Sequence, residues 1–244
     1  MPANMMFQWT GLMVEFMKDA SSHSDYHKKL AGLLEPYMSD CTSVCDAGCG
    51  LGSLGIQIAA NGHEVSCIDI NSKAIEVAGQ AIRESGLDNV RAFQADLLQD
   101  LPYRYDAMVF SYFGMIDQII SIARRLCTRR VLIIKKDYVF HRFSVGSNPI
   151  VRNNGPLAAK YLDSHGIAYS SSAFTLEFGQ PFRSLEDAME FYRIYSRDSD
   201  KSVITPSWVK SMLVETGDPV FPYYLAHQKA SRLLVIEAKD LGND

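Results

Sequence analysis

A doubly wound α/β fold, a mainly parallel sheet between layers of helices, is predicted by three features of this sequence. Ser43 to Gly52 reads as a short strand that breaks into three alternate glycines, Gly48, Gly50 and Gly52, with an apolar helical segment directly after it. Strand and helix signatures then alternate as far as Val131-Leu-Ile-Ile134, an apolar run of the kind a parallel sheet buries on both faces. The length, 244 residues with 47% hydrophobic and 21% charged residues, suffices for one well-cored domain with attachments.

The first 40 residues read as helical. Leu12, Val14, Phe16 and Met17 mark one amphipathic segment; Tyr26, Leu30, Leu33, Leu34 and Tyr37 form a second stripe, opened by Ser24 and Asp25 as caps and ending near Pro36. The leucines are expected against the sheet. Trp9, Tyr26 and His27 carry aromatic and polar tips suited to closing over a ligand. After the glycines, Leu54, Ile56 and Ile58 build a helix, with Gly62 placed for the left-handed turn at its end. His63 to Asp69 is the next strand. The helix that follows is capped by Asn71, carries Ala74, Ile75, Ala78 and Ile82 on one face, and stops at Gly86. Val90 to Gln94 and Tyr105 to Ser111 are further strands, and a helix from about Met115 to Cys127 leads into Val131–Ile134. Arg124, Arg125, Arg129 and Arg130 around that junction read as solvated surface, favourable near a helix C-terminus.

Lys135 to Gly155 breaks the alternation. This loop of aromatic and titratable residues, His141 among them, leaves a central strand and suits a substrate wall. Pro156 and Gly166 bracket a short helix, Ala173 to Phe178 alternates as a strand, and Arg232 to Ala238 closes the sheet. Between those two strands lie roughly 50 residues, far more than a hairpin needs. Ser184 with Asp187 resembles a capping box ahead of Ala188, Met189, Tyr192 and Tyr195, and Thr205-Pro206 opens another helix with Trp208, Val209, Met212 and Leu213. A small helical cap over the substrate side is expected.

The glycine turn carries the chemistry. Glycines let the backbone approach a ligand closely, and the helix N-terminus presents unpaired amides. Asp46 precedes the first glycine by two positions, where dinucleotide-binding turns usually place an apolar residue, so the turn suits a cationic or amine-bearing ligand better than a pyrophosphate. Asp69 ends the next strand, where a carboxylate can accept both hydroxyls of a ribose. Singly, Asp46 also reads as a turn-former and Asp69 as a helix cap.

Together, Asp46-Ala-Gly-Cys-Gly-Leu-Gly52, Asp69, Ala95-Asp96-Leu97 and Tyr105-Asp-Ala-Met-Val-Phe-Ser111 resemble the successive motifs of the class I S-adenosylmethionine-dependent methyltransferases, over roughly Cys41 to Lys136. The resemblance implies a Rossmann-like, seven-stranded sheet, mostly parallel with an antiparallel last strand, plus N-terminal helices and the helical cap insertion. It divides one domain, 1–244, into a helical lid (1–40), a core (41–178 and 230–244) and a cap (179–229). It implies S-adenosylmethionine as cofactor and S-adenosylhomocysteine as product, bound by Tyr26, Asp46, Gly48, Cys49, Gly50, Asp69, Ile70, Asp96, Leu97 and Ser111. Asp96 is expected on the adenine amine, with Ile70 and Leu97 flanking the ring. Ser111, Tyr112 and Phe113 fall at the transferable methyl. The family's DNA amino-methyltransferases carry Asn or Asp, two prolines and an aromatic there, whereas this chain has Ser-Tyr-Phe-Gly, which argues against methylation of a flipped base.

A sulfonium is a good leaving group, so positioning and exclusion of water supply most of the catalysis. Where a proton must be removed, His141 is the first candidate base, followed by His27 and Tyr112. A formal net charge of -4 gives no general basic field for a nucleic-acid partner. The N-terminus lacks a basic leader, and no stretch fits a membrane span. The odd set of five cysteines fits a reducing, cytoplasmic setting, with Cys45 and Cys49 as small residues of the turn. The reading is a methyltransferase acting on an N or O atom of a small-molecule acceptor. A non-catalytic cofactor-binding module and a protein or RNA methyltransferase stand as alternatives, and the oligomeric state is left open.

Overall fold

The computed structural model describes residues 9–138, 143, 145, 153–196 and 201–242. Helices α1 (Gly11–His23) and α2 (Tyr26–Leu34) come first. Then β1 (Ser43–Ala47), α3 (Ser53–Ala60), β2 (Glu64–Asp69), α4 (Ser72–Ser85), β3 (Val90–Gln94), β4 (Tyr105–Ser111), α5 (Ile116–Leu126) and β5 (Cys127–Lys136) alternate. The remainder comprises α6 (Gly155–Ser164), β6 (Ser170–Glu177), β7 (Gln180–Phe182), α7 (Leu185–Tyr195), α8 (Pro206–Met212), β8 (Val214–Glu215), β9 (Tyr223–Leu225) and β10 (Gln228–Glu237).

Seven strands form one sheet in the order β3-β2-β1-β4-β5-β10-β6, in which β1 to β5 are parallel and β10 is antiparallel to both neighbours. Side chains alternate between the faces of a strand, so a strand covered on both faces is apolar throughout. In β5, Leu132 and Ile134 join a core with Leu30, Leu34, Leu54 and Ile58 of the helices on one face. Val131 and Ile133 join Ile119, Ile120, Leu126 and Leu162 on the other. Helix α4 behaves as expected: the Asn71 side chain accepts from the Ala74 amide at 3.1 Å, and Gly86 closes the helix at φ 70°.

Strands β5 and β6 begin earlier than expected, at Cys127 and Ser170, and two further boundaries differ for a local reason. Ser24 does not open α2; its hydroxyl donates to the Ala20 carbonyl and closes α1, while Asp25 takes the N-cap position with its side chain paired to Lys29 rather than to a helix amide. Strand β10 begins at Gln228 rather than Arg232, because Gln228, Lys229 and Ser231 are polar yet continue the pairing with β6, from Gln228 opposite Glu177 onward. The long insertion also holds more than helices. Besides α7 and α8 it forms a second, antiparallel sheet, β7-β9-β8. Phe182, Phe191, Tyr192 and Val209 there share a third core with Phe16 of α1, whose ring meets that of Phe191 edge-on at 5.2 Å. Asp19 of α1 pairs with Arg183 across the same contact, at 2.7 Å for Oδ1. Helix α1 and the insertion are thus packed on one another, while α2 packs on α3 and β6. No helix among the described residues is long and apolar enough to cross a membrane.

Candidate active site

The strand order reverses between β1 and β4, and in open α/β sheets ligands bind beyond the carboxyl ends at such a reversal. The turn after β1 forms one wall. Gly48, Gly50 and Gly52 have φ of 68°, 54° and 79°, a region that residues with a Cβ avoid. The turn is held onto β2: the Gly48 and Cys49 amides donate to the Ile68 carbonyl at 2.8 and 3.0 Å, and the Gly50 amide donates to Asp69 Oδ2 at 2.9 Å. Asp69 Oδ1 accepts from the Asn71 amide at 2.9 Å. One carboxylate therefore fixes the turn and the start of the next loop. Each of its oxygens retains lone-pair capacity for a ligand hydroxyl.

Asp96, half-buried just past β3, accepts from the Leu98 amide at 2.9 Å. Leu97 packs into the core at 4% exposure, so of the two apolar residues expected beside an adenine only Ile70, 40% exposed, presents its side chain at the surface. Ser111 and Cys49 are half-buried.

Asp46 is buried beneath the first turn of α3, and its Oδ2 has no hydrogen-bond partner. A Cβ built on Gly55 would lie 3.2 Å from that oxygen and 2.2 Å from Cys67 Sγ, so this atom faces the inside of the turn. Burial pushes the carboxyl up to about 7; the Gly55 amide opposes this and the Asp69 charge adds to it. An acid whose pKa is higher folded than unfolded binds its proton more tightly in the folded state. The resulting penalty is absent below about pH 4, grows as pH rises to about 7, and is constant above that. Asp46→Asn is accordingly expected to match the parent near pH 4 and to exceed its stability at pH 8, by on the order of 4 kcal/mol at most. Denaturant unfolding of both proteins across that range checks this; parallel stability curves would refute it.

The opposite wall is built at the end of β4. Tyr112 has φ 55°, the one positive φ outside glycine among the described residues, and its amide donates to the Ile134 carbonyl at 2.9 Å. A bulky residue in that region is strained, a feature that concentrates at functional sites. Its hydroxyl is 2.8 Å from that of Tyr26 and 2.6 Å from Ser231 Oγ. Tyr26 in turn stacks on Phe178 with ring centres 4.4 Å apart, and His27 meets both rings edge-on at 5.1 and 5.3 Å. Three sequence candidates, Tyr26, His27 and Tyr112, therefore share one site. Burial, and then the nearby Lys229 charge, pushes the His27 imidazole down to about 3, so as packed it is too weak a base for neutral pH. Burial raises the Tyr112 phenol, which acts in the hydroxyl chain as a neutral group. His141 lies outside the described residues.

Lys135, Lys136 and Asn153, from the segment read as a substrate wall, and Lys229 and Ser231, which sequence reasoning missed, complete this side of the site. Lys135, 1% exposed, donates from Nζ to the Phe113 carbonyl at 2.9 Å and to the Gly114 carbonyl, which also accepts from Asn153 Nδ2 at 3.0 Å. The loop so fixed lays the Phe113 ring on Gly48. Beside it a cavity of about 120 Å³ is lined by Tyr112, Lys135, Lys136 and Asn153. Lys229 Nζ stands 3.8 Å from the Tyr112 ring centre and 5.0 Å from those of Tyr26 and Phe178. The signal for Lys229 and Ser231 was present but weak: they are alternate residues on the polar start of β10, placed by the pairing described above. A larger cavity of about 350 Å³ between α1 and α7 is lined by Glu15, Asp19, Arg183 and Asp187, among others, and by none of the residues just described.

A doubly wound sheet with this turn and these strand-end carboxylates defines a nucleoside-binding α/β enzyme class. The profile of the family described as "Methyltransferase domain" matches residues 39–165, and the chain belongs to the class I S-adenosylmethionine-dependent methyltransferases. It is 32% identical over 114 residues to the ribosomal protein L11 methyltransferase of Acetivibrio thermocellus, a match covering 46% of this chain and 34% of that protein. The chain spans about a third of the length of the curated relatives it matches. In fold it is similar to YcgJ of Bacillus subtilis, with TM-score 0.56 and 15% identity over 87% of this chain and 98% of that one. It is also similar to the magnesium protoporphyrin IX methyltransferase of Synechocystis with bound S-adenosylhomocysteine, with TM-score 0.53 and 17% identity over 95% and 88%.

The residues present fit the cofactor of this class. A Cβ on Gly48 would lie 2.2 Å from the Phe113 ring and one on Gly50 3.3 Å from Trp9, so the turn is a cradle with no room for side chains of its own. Asp69 ends β2 and Asp96 lies just past β3, its paired neighbour, with exposed Ile70 next to the first carboxylate.

Proposed function

We propose that this chain transfers the methyl group of S-adenosylmethionine to an N or O atom of a small-molecule acceptor. The observation that carries the reading is the pinned glycine turn with Asp69 at its foot. Asp69 would hold the ribose hydroxyls, Asp96 the adenine amine, and Ile70 one face of the ring, with the glycine turn along the remainder. Bound there, S-adenosylmethionine supplies an electrophilic methyl on a sulfonium. The protein's own part is to orient the acceptor at the end of β4, beside Ser111 and Tyr112, and to exclude water.

Two features favour a small acceptor. The cavity at the end of β4 is small, about 120 Å³, and α2 reaches its edge through the Tyr26–Tyr112 contact. In this reading α1, α2 and the insertion act as lid and cap. A protein acceptor is the second reading, favoured by the name of the ribosomal protein L11 methyltransferase. Calorimetric titration with S-adenosylmethionine and with S-adenosylhomocysteine tests the cofactor, with micromolar binding of both expected. A folded sample that binds neither ends the enzyme reading. Methyl uptake from labelled cofactor into a fractionated metabolite extract, against uptake into ribosomal protein, then separates the two acceptor classes.

A further inference from the structure

Lys229 has no role in the cofactor site just described, yet it sits at its rim. It lies on β10 two residues before Ser231, whose hydroxyl bonds to Tyr112, so both residues share the face covered by α2. Three aromatic rings surround its Nζ: Tyr112 after β4, Tyr26 of α2 and Phe178 after β6. No carboxylate among the described residues forms an ion pair with it. Glu177, the nearest acid along β6, is taken up by the Tyr224 hydroxyl, the His227 amide and the Gln228 side chain at 2.6 to 2.9 Å, and Asp137 is paired with Arg232 at 2.8 Å. The remaining titratable neighbours are the phenols of Tyr26, Tyr112 and Tyr138, the imidazoles of His27 and His227, and Lys136, none of them an anion at neutral pH. An ammonium so placed has ring faces but no counter-ion. Burial first and the Lys136 charge second bring the amine down to about 7.

Resting on the cofactor reading above, we propose that Lys229 is the proton acceptor of the methyl-transfer step and that the acceptor is a neutral hydroxyl, alcohol or phenol. In that step the acceptor's oxygen forms a new bond to the methyl carbon, the carbon–sulfur bond breaks with its electron pair passing to sulfur, and the hydroxyl proton goes to the lone pair of the Lys229 amine. One positive charge is present before and after. It begins on sulfur and ends on nitrogen, and the three rings, which favour a cation over their faces, serve it at both stages. An acceptor that is itself cationic would put two positive charges beside Lys136 without a counter-ion, which is why a neutral hydroxyl is the class this box admits.

The charge balance gives a test that needs no acceptor. A sulfonium beside Lys229 must drive its proton off, whereas the uncharged sulfur of S-adenosylhomocysteine need not. Calorimetry on the full chain, in buffers of different ionisation enthalpy between about pH 6 and about pH 8.5, counts the protons exchanged. Near pH 7, S-adenosylmethionine is expected to release on the order of half a proton more than S-adenosylhomocysteine. Its relative affinity is expected to rise about fivefold from the acid to the alkaline end of that range, as follows when the bound sulfonium makes the lysine ammonium about ten times more acidic. In Lys229→Met, which keeps the apolar stem, both differences disappear. With catechol and benzylamine supplied as acceptors, methyl uptake should favour catechol.

A wild-type protein that binds both ligands with no pH-dependent difference overturns the proposal and leaves the cofactor reading standing. Persistence of the difference in Lys229→Met assigns it to another group and also overturns the proposal, as does methylation of benzylamine alone. Binding of neither ligand removes both this proposal and the reading under it.

Discussion

Asp69→Ala is expected to weaken S-adenosylmethionine binding at least about a hundredfold. The carboxylate at the end of β2 is assigned two ribose hydroxyls, and a hydrogen bond to a charged acceptor contributes about 1.5–3 kcal/mol, so losing both costs about 3 kcal/mol or more. The same carboxylate holds the Gly50 and Asn71 amides at 2.9 Å, and the substitution leaves both without their acceptor. Part of the lost affinity will therefore come from a looser turn, and the apo protein should lose about 1–3 kcal/mol of stability. Asp69→Asn separates the two contributions. Its amide oxygen can still accept one backbone N–H while the negative charge is gone, so it should recover more stability than affinity. Calorimetry for the ligand and urea unfolding for the apo protein provide the two readings. Micromolar affinity in a folded Asp69→Ala protein would sink the ribose assignment.

That double duty bears on what the sequence could reveal. Turn-former and helix cap are the plain readings of Asp46 and Asp69, and only the second acid has such a role: Asp69 binds two backbone amides, whereas Asp46 lies buried under α3 with Oδ2 unpartnered. A ligand-binding turn must itself be held in an unusual conformation, so the residues that recognise the ligand and those that hold the turn overlap. The alternating core was legible because burial on both faces of β5 leaves a continuous apolar run, and α4 because its cap and stop are local features. The other side of the site was harder to see. Tyr112 meets Tyr26 from 86 residues away and Ser231 from 119, contacts that no local period announces. Lys229 and Ser231 belong to a strand whose first residues are polar, so apolar patterning began it at Arg232. Their neighbours in the site are fixed by pairing in the sheet, between β5 and β6, and by α2 folding across that face. Lys135 opens the segment read as a substrate wall, but its burial was not legible: a lysine that ends an apolar strand looks like a boundary, yet here it continues β5 and holds the loop carrying Phe113.

Gly48→Ala is expected to damage both folding and cofactor binding, because two separate constraints meet at that position. The first is torsional. A φ of 68° costs a residue with a Cβ about 1–2 kcal/mol. The second is contact: the new methyl would lie 2.2 Å from the Phe113 ring, and that ring cannot simply retreat while Lys135 and Asn153 hold the carbonyls of its loop. Overpacking of this kind costs about 1–3 kcal/mol, so the total is about 2–5 kcal/mol. Gly86→Ala supplies the comparison. Gly86 has nearly the same φ, 70°, but nothing within 4 Å of its ideal Cβ, so only the torsional part should appear. In the double variant Gly48→Ala/Phe113→Gly the contact is removed as well, Cβ included, and its deficit relative to Phe113→Gly alone should fall to the value measured for Gly86→Ala. Equal losses for Gly48→Ala and Gly86→Ala would mean that Phe113 yields freely, and the ring would then be a movable cover over the turn rather than a fixed part of its wall.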